Sequence, residues 1–438
     1  MSRCSSIEYQ LHPLRETLYN ELHIRPFYPL ATPHLITHLV ASCSTREELD
    51  QSYERLCNLC RRYEVNPPVA ESVTFHEDFG EFVIHWERHV EFYALTIMQP
   101  VRKIGAPFDY TAVDLFPADW LRGLPGQMIA AFHTILDDNQ LDYDQEALIR
   151  LFEGHSVMVS NTYAGKAQLY TAFKLHGDGH GRFIIRNNGL NSSQAGQLTR
   201  RLLDLETYRL LALLSLPIAK RIAPQLLDMD RQLADILTVV TDLNTNRNER
   251  MLLEKLTKVE AQLETYRAET NHRFSATRAY HQLVKDRLEG IKEETLEGYL
   301  SIGEFIVRRL NPALRTCESV QVWMDDLSKR IERASDLMRT RVNLNLQEQN
   351  RSQLAAMNRR SRLQFRLQET VEGLSIAAIS YYAIGLLSYL FSGLPLAQWG
   401  LNKNSLLAGS IPVVLMIIWY ITRRIKRRLI KDPALAEE

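Results

Sequence analysis

The sequence lacks both a cysteine framework and an excess of charge of either sign. Its 438 residues include only five cysteines, and 52 Lys and Arg residues balance 52 Asp and Glu residues. An odd, scattered set of cysteines favours reduced thiols in the cytosol over structural disulfides. A net charge of zero gives no reason to expect nucleic acid as a partner of the whole protein.

Signatures of catalysis are also missing. The chain has no glycine-rich phosphate loop, no nucleophile elbow and no paired motif for phosphoryl transfer, and Gly177, Gly179 and Gly181 are wrongly spaced for a dinucleotide site. Cys57 and Cys60 fall near the end of a predicted helix, whereas a redox dithiol normally sits at a helix N-terminus. We therefore expect buried structural thiols, no enzyme activity and no resident cofactor.

What the sequence does contain is a pair of long apolar runs near its C-terminus. Residues 373–394 and 405–422 carry no charged side chain, and a helix of that length approaches or exceeds what is needed to cross a hydrocarbon core of about 30 Å. Only residues 395–404 connect the two runs. The sequence thus predicts a C-terminal two-helix transmembrane hairpin with a short outer loop.

Basic residues flank both runs and are nearly absent between them, where only Lys403 is found. Those before the first run are Arg339, Arg341, Arg351, Arg359, Arg360, Arg362 and Arg366; those in the tail, residues 423–438, include Arg423, Arg424, Lys426, Arg427 and Arg428. Because cytoplasmic flanks carry the excess of Lys and Arg, both termini are predicted to be cytoplasmic. The tail cluster is interpreted as a topology determinant in contact with lipid headgroups.

Residues 1–10 contain no apolar core, so no cleavable secretory signal is expected.

Residues 1–190 have the mixed pattern of a cytosolic α+β domain. Short β-branched and aromatic stretches bounded by turn residues predict strands, and helices are predicted over Thr45–Tyr63, with a Thr cap, and over Asp119–Leu136. Gly177 to Gly179 is predicted to form a hairpin turn. The predicted strands are Leu35–Ala41, Glu81–Trp86, Glu91–Met98, Ser156–Asn161, Lys166–Leu175 and Arg182–Arg186.

From residue 191 the alternation ends and helical composition takes over. A helical region is predicted over residues 191–311, broken by Pro217, Pro224 and Pro312, and a long stalk helix over 312–372. Apolar residues in the stalk follow coiled-coil-like spacing and must be covered by helices of the same chain or of a second copy. They are Leu327, Ile331, Ala334, Met338 and Val342.

Histidines near carboxylates are the candidate metal ligands. If the strand is continuous, His85, Glu87, His89 and Glu91 share one face of it, and imidazole and carboxylate suit a borderline divalent cation. The alternative is that they make hydrogen bonds and ion pairs on a sheet surface. The same alternative applies to two further clusters, His12 with Glu21 and His23, and His76 with Glu77 and Asp78.

One face of the first apolar run carries small and hydroxylated residues, namely Ala377, Tyr381, Gly385, Ser388 and Ser392. Such a stripe allows close helix packing in lipid, and it would also suit the lining of a narrow pore. Packing is the simpler interpretation, because neither run nor the connecting loop contains an acidic residue that would attract cations.

Several strings along nearly the whole chain resemble an uncharacterised bacterial family of membrane-anchored proteins, domain of unknown function 3422. They are Leu11–Arg15, Glu21–His23, Arg25–Phe27, Trp86–His89, Asp119–Leu121, Leu205–Arg209, Ala276–Tyr280, Arg339–Val342, Gln349–Asn350, Gln368–Ser375 and Ile379–Tyr382. The resemblance implies a membrane anchor and brings no activity. A weaker likeness, in architecture alone, is to the pentameric CorA-type magnesium channels, but Gly393–Pro395 stands where that family carries Gly-Met-Asn.

Two functions follow as expectations. The first is a homo-oligomeric protein of the bacterial inner membrane, built like CorA and serving as an ion channel or transporter. The second is a non-transporting scaffold, in which the hairpin tethers a partner-binding domain. A metal-dependent enzyme ranks third. Membrane lipid and further copies of the chain are the expected partners.

Overall fold

The computed structural model describes residues 12–21, 28–70, 72–241, 249–393 and 403–431. The chain divides into two compact units, Met1–Ser335 and Asp336–Glu438. The first unit contains a nine-stranded mixed sheet and helices on both of its faces. The second contains the later part of one long helix and a final helix.

The elements follow one another along the chain as bounded here. The helices are α1 Arg15–Glu21, α2 Arg46–Arg62, α3 Ala118–Arg122, α4 Gln145–Leu151, α5 Ser192–Leu213, α6 Ser215–Thr241, α7 Glu249–Ile291, α8 Ile302–Gly393 and α9 Lys403–Lys431, with a 3-10 helix at Ala112–Leu115. The strands are β1 His34–Ser42, β2 Thr74–Asp78, β3 Val83–Arg88, β4 Phe92–Pro100, β5 Gln127–Asp137, β6 Met158–Thr162, β7 Ala167–Thr171, β8 Gly181–Asn187 and β9 Glu293–Thr295.

The sheet has the order β2-β3-β4-β1-β5-β8-β7-β6-β9. Its neighbours are antiparallel except for β5 and β8, which run parallel. The short strand β9 follows α7 and pairs with β6 at the edge. An N-terminal α/β sheet unit followed by long helices is therefore confirmed.

Each face of the sheet supports its own apolar core. On one face, Leu198, Leu202 and Leu205 of α5 are fully buried beside residues of β1, β4, β5 and β8. On the other, Leu56 and Leu59 of α2 pack with Trp86 and further aromatic residues. Helix α2 begins as predicted, because Thr45 and Glu48 form a reciprocal capping box. Both faces are thus shielded from water, which explains the continuous apolar character of the central strands.

The predicted helix over Asp119–Leu136 is wrong beyond Arg122. Helix α3 ends there, and Gln127–Asp137 forms β5, which lies between β1 and β8 in the middle of the sheet. Gly126 adopts a φ of +80° at the turn between them, a conformation suited to glycine. A short apolar run that is buried on both faces has no alternation, so its periodicity does not separate strand from helix.

The predicted breaks at Pro224 and Pro312 are also wrong. Pro224 lies inside α6 and Pro312 inside α8, so the long helix begins ten residues earlier than the predicted stalk, at Ile302 rather than residue 312. The predicted turn at Gly177 to Gly179 is confirmed between β7 and β8, where the Gly179 amide donates to the His176 carbonyl at 2.8 Å.

The apolar stripe of α8 is covered within the single chain. Leu327, Ile331, Ala334 and Met338 are each at most 2% exposed, and Val342 is half-buried. The prediction that other structure covers this stripe is confirmed. A second copy of the chain is not required for it, so this stripe no longer argues for an oligomer.

Candidate functional site

A buried charged cluster lies between the sheet and α5, and we call its members His85, Glu87, Arg200, Asp204 and Arg287 the Arg200 cluster. The Arg200 guanidinium donates to Glu87 Oε1 at 2.6 Å and to Asp204 Oδ1 at 3.0 Å, and lies 3.0 Å from His85 Nε2. Arg287 of α7 donates to the other Asp204 oxygen at 2.8 Å. Arg200 and Asp204 of α5 thus together join β3 of the sheet to α7.

The charges in this cluster compensate one another. Burial alone disfavours the charged form of Glu87, which is 3% exposed, but the hydrogen bond from His85 and the charge of Arg200 outweigh it and hold the pKa of Glu87 well below its usual range. Burial also opposes the charge of Arg200, yet Asp204 and Glu87 raise its pKa. Both groups therefore stay ionised at neutral pH.

A small cavity adjoins the cluster. Its volume is about 40 Å³, and its lining includes Tyr28, His38, Thr199 and Arg200. The backbone at Tyr28 closes it tightly, since a Cβ added at Gly196 of α5 would lie 1.9 Å from the Tyr28 carbonyl oxygen. A cavity of this size holds a few waters, far less than a metabolite pocket of about 300 Å³ or more. The cluster is therefore suited to fixing α5 on the sheet rather than to holding a substrate.

His38 lies on the cavity wall and is kept neutral. Its ring nitrogens are 2.8 Å from Thr96 Oγ1 and 3.1 Å from Thr207 Oγ1. Burial lowers the pKa of His38 to about 3 because charging a histidine in an apolar surrounding is unfavourable. His76, which stacks on Tyr28 with ring centroids 3.4 Å apart, is likewise lowered by burial, to a pKa of about 4.

The four predicted metal ligands are not brought together. Strand β3 ends at Arg88, so the continuous strand that a shared face would require is not formed, and His89 and Glu91 lie in the turn before β4. His85 and Glu87 belong to the Arg200 cluster. His89 stacks on Phe92 with ring centroids 4.0 Å apart, and Glu91 accepts from Arg273 at 2.8 Å. A β-hairpin turn has separated two pairs that an extended strand would have aligned.

The remaining histidine clusters and the cysteines lie in several different parts of the chain. His76, Glu77 and Asp78 lie in β2, an edge strand that the sequence pattern did not predict. Of the first cluster, His12 is exposed, whereas His23 and the Glu21 side chain lie outside the described residues. Cys43, Cys57, Cys60 and Cys317, the cysteines in the described part of the chain, are free thiols, and burial raises the pKa of Cys60 to about 11.

A larger open pocket lies where the β3–β4 turn meets α2 and α7. Its volume is about 500 Å³, and its lining includes Arg46, Arg88, His89, Glu91 and Arg273. Arg88 is paired with Asp50 at 2.6 Å and Arg273 with Glu91. This pocket has the size of a ligand site and open access to solvent.

Sequence reasoning missed one further set of residues that the fold brings together, His133, Asp178 and His180. Their ligand atoms all lie within 4.8 Å of one another. His133 lies within the predicted helix Asp119–Leu136, but it belongs to β5, and a helix would not place it beside the β7–β8 turn. The close spacing of the histidines and the aspartate in that turn is the sequence signal that indicates such a site.

In the second unit, the predicted small-residue face is partly covered. Ala377, Tyr381 and Ser392 are exposed, while Gly385 and Ser388 are half-buried. The more covered positions of α8 are offset by one residue, and those of α9 repeat every three or four residues. They are Ile376, Ser380, Ile384, Leu387 and Phe391 in α8, and Leu407, Ser410, Val414, Ile418 and Thr422 in α9.

The basic tail continues α9 through Lys431. Arg423 and Arg424 are exposed, and the Arg423 guanidinium lies 4.7 Å from the centroid of the Trp419 ring. The side chains of Lys426, Arg427 and Arg428, residue 394 of the first predicted span and residues 395–402 of the predicted outer loop lie outside the described residues.

Among the described residues, three helical stretches are long and apolar enough to cross a membrane, by length and composition alone. They are Ser192–Val240, Ile302–Gly393 and Asn404–Ile425. Their most apolar windows are 33%, 6% and 0% buried, respectively.

A family model described as "Protein of unknown function (DUF3422)" matches residues 10–429. No curated protein and no solved structure matches.

Proposed function

This chain belongs to the DUF3422 family, and from that premise we propose that it is a membrane-anchored binding protein without catalytic activity. Its last two apolar helices would insert into the bacterial inner membrane as a hairpin, and the first unit would bind a partner in the cytosol. The family description names no activity, so the proposal is argued from the residues themselves.

The observation that carries the anchor is the apolar surface of α8 and α9. Tyr389, Leu390 and Met416 are 80%, 59% and 67% exposed, and they belong to windows that are almost entirely uncovered. Exposed apolar surface costs roughly 25 cal/mol per Å² in water, and soluble monomers rarely expose large contiguous apolar patches. Lipid removes this cost.

The C-terminal part of α9 supports the predicted orientation, in which both termini of the chain are cytoplasmic. Trp419 and Tyr420 precede Arg423 and Arg424, and aromatic residues followed by basic ones are typical of the cytoplasmic interface of a membrane. The half-covered stripes of α8 and α9 are the surfaces on which the two helices would pair. A short outer loop over residues 395–404 would then join them.

The anchor is tested on the full chain by alkaline carbonate extraction of bacterial membranes and by reporters fused at residue 1 and at residue 438. We expect the protein to stay in the pellet and both reporters to be cytoplasmic. Extraction into the supernatant would refute the anchor, and a periplasmic reporter would refute the orientation.

The binding role rests on the contrast between the two cavities of the first unit. The cavity beside the Arg200 cluster, of about 40 Å³, has no room for a substrate, whereas the pocket at the β3–β4 turn, of about 500 Å³, does. Replacing both spans with an unrelated anchor tests the scaffold role. Function in cells should survive the exchange, and its loss would indicate that the spans do more than tether.

A second candidate is the oligomeric CorA-like ion channel, and one observation favours it. The face formed by Ala377, Tyr381 and Ser392 is exposed in the single chain, so it is available to other copies around an axis. Mass measurement of the detergent-solubilised protein separates the two functions, because a monomer excludes an axial pore. If an oligomer is found, ion flux in liposomes should be abolished by Ser388→Leu with Ser392→Leu, and unchanged flux would exclude this lining.

A further inference from the structure

We propose that His133, Asp178 and His180 form a binding site for a divalent transition metal ion at the end of the sheet in the first unit. This site is distinct from the predicted set around His85, and it does not depend on the proposed anchoring function. It rests on the placement of the three side chains, on the hydrogen bonds that engage one nitrogen of each imidazole and on the local charge.

The fold supplies the three groups from two neighbouring elements. His133 lies in β5, where it pairs with Thr37 of β1 on one side and with Arg182 of β8 on the other. Asp178 and His180 belong to the turn that leads into β8. The turn is closed by hydrogen bonds between the His176 amide and the His180 carbonyl at 3.0 Å, and between the Gly179 amide and the His176 carbonyl at 2.8 Å.

The three groups are close enough together to reach one metal ion. The ligand atoms lie within 4.8 Å of one another, and ligands at about 2.1 Å from a tetrahedral ion are about 3.4 Å apart. The His133 and His180 rings are stacked, with centroids 4.3 Å apart, so one ring must turn out of the stack before both lone pairs meet at the ion. His133 is 3% exposed, whereas the side chains of His180 and Asp178 retain 23% and 33%, so the ion would be reached from solvent on the turn side.

The protein engages one nitrogen of each imidazole. Nδ1 of His180 lies 2.9 Å from the Asp178 carbonyl oxygen, which only accepts, so this nitrogen carries the proton and Nε2 presents a lone pair. Nδ1 of His133 lies 2.9 Å from Thr37 Oγ1, and when this hydroxyl accepts the hydrogen bond, Nε2 of His133 also presents a lone pair. Ligating histidines characteristically use their second nitrogen in this way.

The surrounding charge favours a cation. Arg182 bridges the carboxylates of Asp178 and Glu153 at 3.2 and 3.1 Å and donates to the Leu151 carbonyl. Two acidic groups face one basic group, which leaves one negative charge for the ion. Arg182 is a positioning residue here, because it fixes the carboxylate without contacting the ion.

Two imidazoles and one carboxylate determine the class of metal. This donor set suits Zn²⁺, Fe²⁺, Co²⁺ or Mn²⁺, whereas Mg²⁺ prefers oxygen ligands. Three protein ligands leave at least one position for water, as in sites that exchange ligands.

The test is a titration of the full-length, EDTA-treated protein in detergent with Zn²⁺, followed by calorimetry. We expect one equivalent per chain, no comparable binding of Mg²⁺, and a loss of affinity of at least about tenfold in both Asp178→Asn and His180→Gln. His272→Gln is the matched control, since this exposed histidine lies outside the set and should bind Zn²⁺ as the wild type does.

A structural readout accompanies the titration. Co²⁺ should give a visible absorption band in the wild type and in His272→Gln but not in the two turn variants, whose circular dichroism should remain that of the wild type. Absence of stoichiometric Zn²⁺, or affinity and Co²⁺ spectra unchanged in both turn variants, would overturn the proposal.

Discussion

Helices α5–α6 and helix α9 have similar apolar composition and different surroundings. Both include stretches long and apolar enough to cross a membrane. In α5, however, Leu198, Leu202 and Leu205 are fully buried on the sheet, whereas the apolar window of α9 is 0% buried. Composition therefore identifies apolar segments, and the fold determines which of them the protein itself covers.

Charged residues sharpen the contrast. Helix α5 places Arg200, Arg201 and Asp204 among its leucines, and each has a partner of opposite charge or a hydrogen-bond acceptor in the first unit. The window of α9 has no ionisable charge to satisfy before Arg423. A buried helix in a protein can carry charges that its neighbours neutralise, and a helix in lipid has few such neighbours.

The largest effect is expected from charged residues placed in the apolar window of α9. Leu415→Arg combined with Met416→Arg puts two charges near the middle of the apolar window, at about 2.5 to 3.5 kcal/mol each, or about 5 to 7 kcal/mol together. We expect α9 to fail to insert, so that a reporter at residue 438 moves to the periplasm while one at residue 1 stays cytoplasmic. Leu354→Arg is the control, because Leu354 is 60% exposed but lies before the spans. An unmoved C-terminal reporter would contradict α9 as a span.

The next effect concerns the charges of α5. Arg200→Ala leaves Glu87 buried without its cation, which should lower the free energy of unfolding by about 3 to 5 kcal/mol, measured by urea denaturation of the solubilised chain. The matched control is Arg221→Ala, whose ion pair with Glu269 has side chains 49% and 42% exposed and should cost at most about 1 kcal/mol. Equal losses in the two variants would show that the Arg200 cluster is not a buried network.

The smallest effect is the response of the first unit to acid. The pKa of His38 is about 3 in the folded chain and about 6.5 when unfolded, so between these values the unfolded chain binds the extra proton. Stability therefore falls as pH drops below about 6.5, and at pH 5 the contribution of His38 to this loss is about 2 kcal/mol. His76 and His133, with pKa values of about 4, act in the same direction.

This response is checked by comparing urea unfolding at pH 7.5 and pH 5. His38→Gln should lose about 2 kcal/mol less than the wild type over this interval, and His272→Gln, at an exposed position, should lose as much as the wild type. If His38→Gln and the wild type lose the same amount, His38 is not held neutral by burial.

The sequence predicted elements whose signals are local. The Thr45 helix cap, the Gly177 to Gly179 turn and most strands are confirmed, because each depends on neighbouring residues. Strand β5 was misassigned because full burial removes alternation, and Pro224 and Pro312 were overrated as helix breaks because tertiary packing outweighs the loss of one hydrogen bond. Local propensity is thus a guide only where the fold does not override it.

The candidate sites were harder to predict, since they join distant parts of the chain. Glu87 and Arg200 are separated by 113 residues, and Thr37 and His133 by 96. No spacing rule links such pairs. The candidate ligands around His85 show the converse, because these four residues are close in sequence and one turn separates them.

The pairing of β9 with β6 has a consequence for biosynthesis. Strand β8 ends at Asn187 and β9 begins at Glu293, so the ribosome must add about 106 residues before the sheet edge can close, which takes about 5 to 20 s at 5 to 20 residues per second. During that interval β6 has an open edge that a second nascent chain can pair with. A chaperone or rapid docking of α5 would have its greatest effect on yield in this interval.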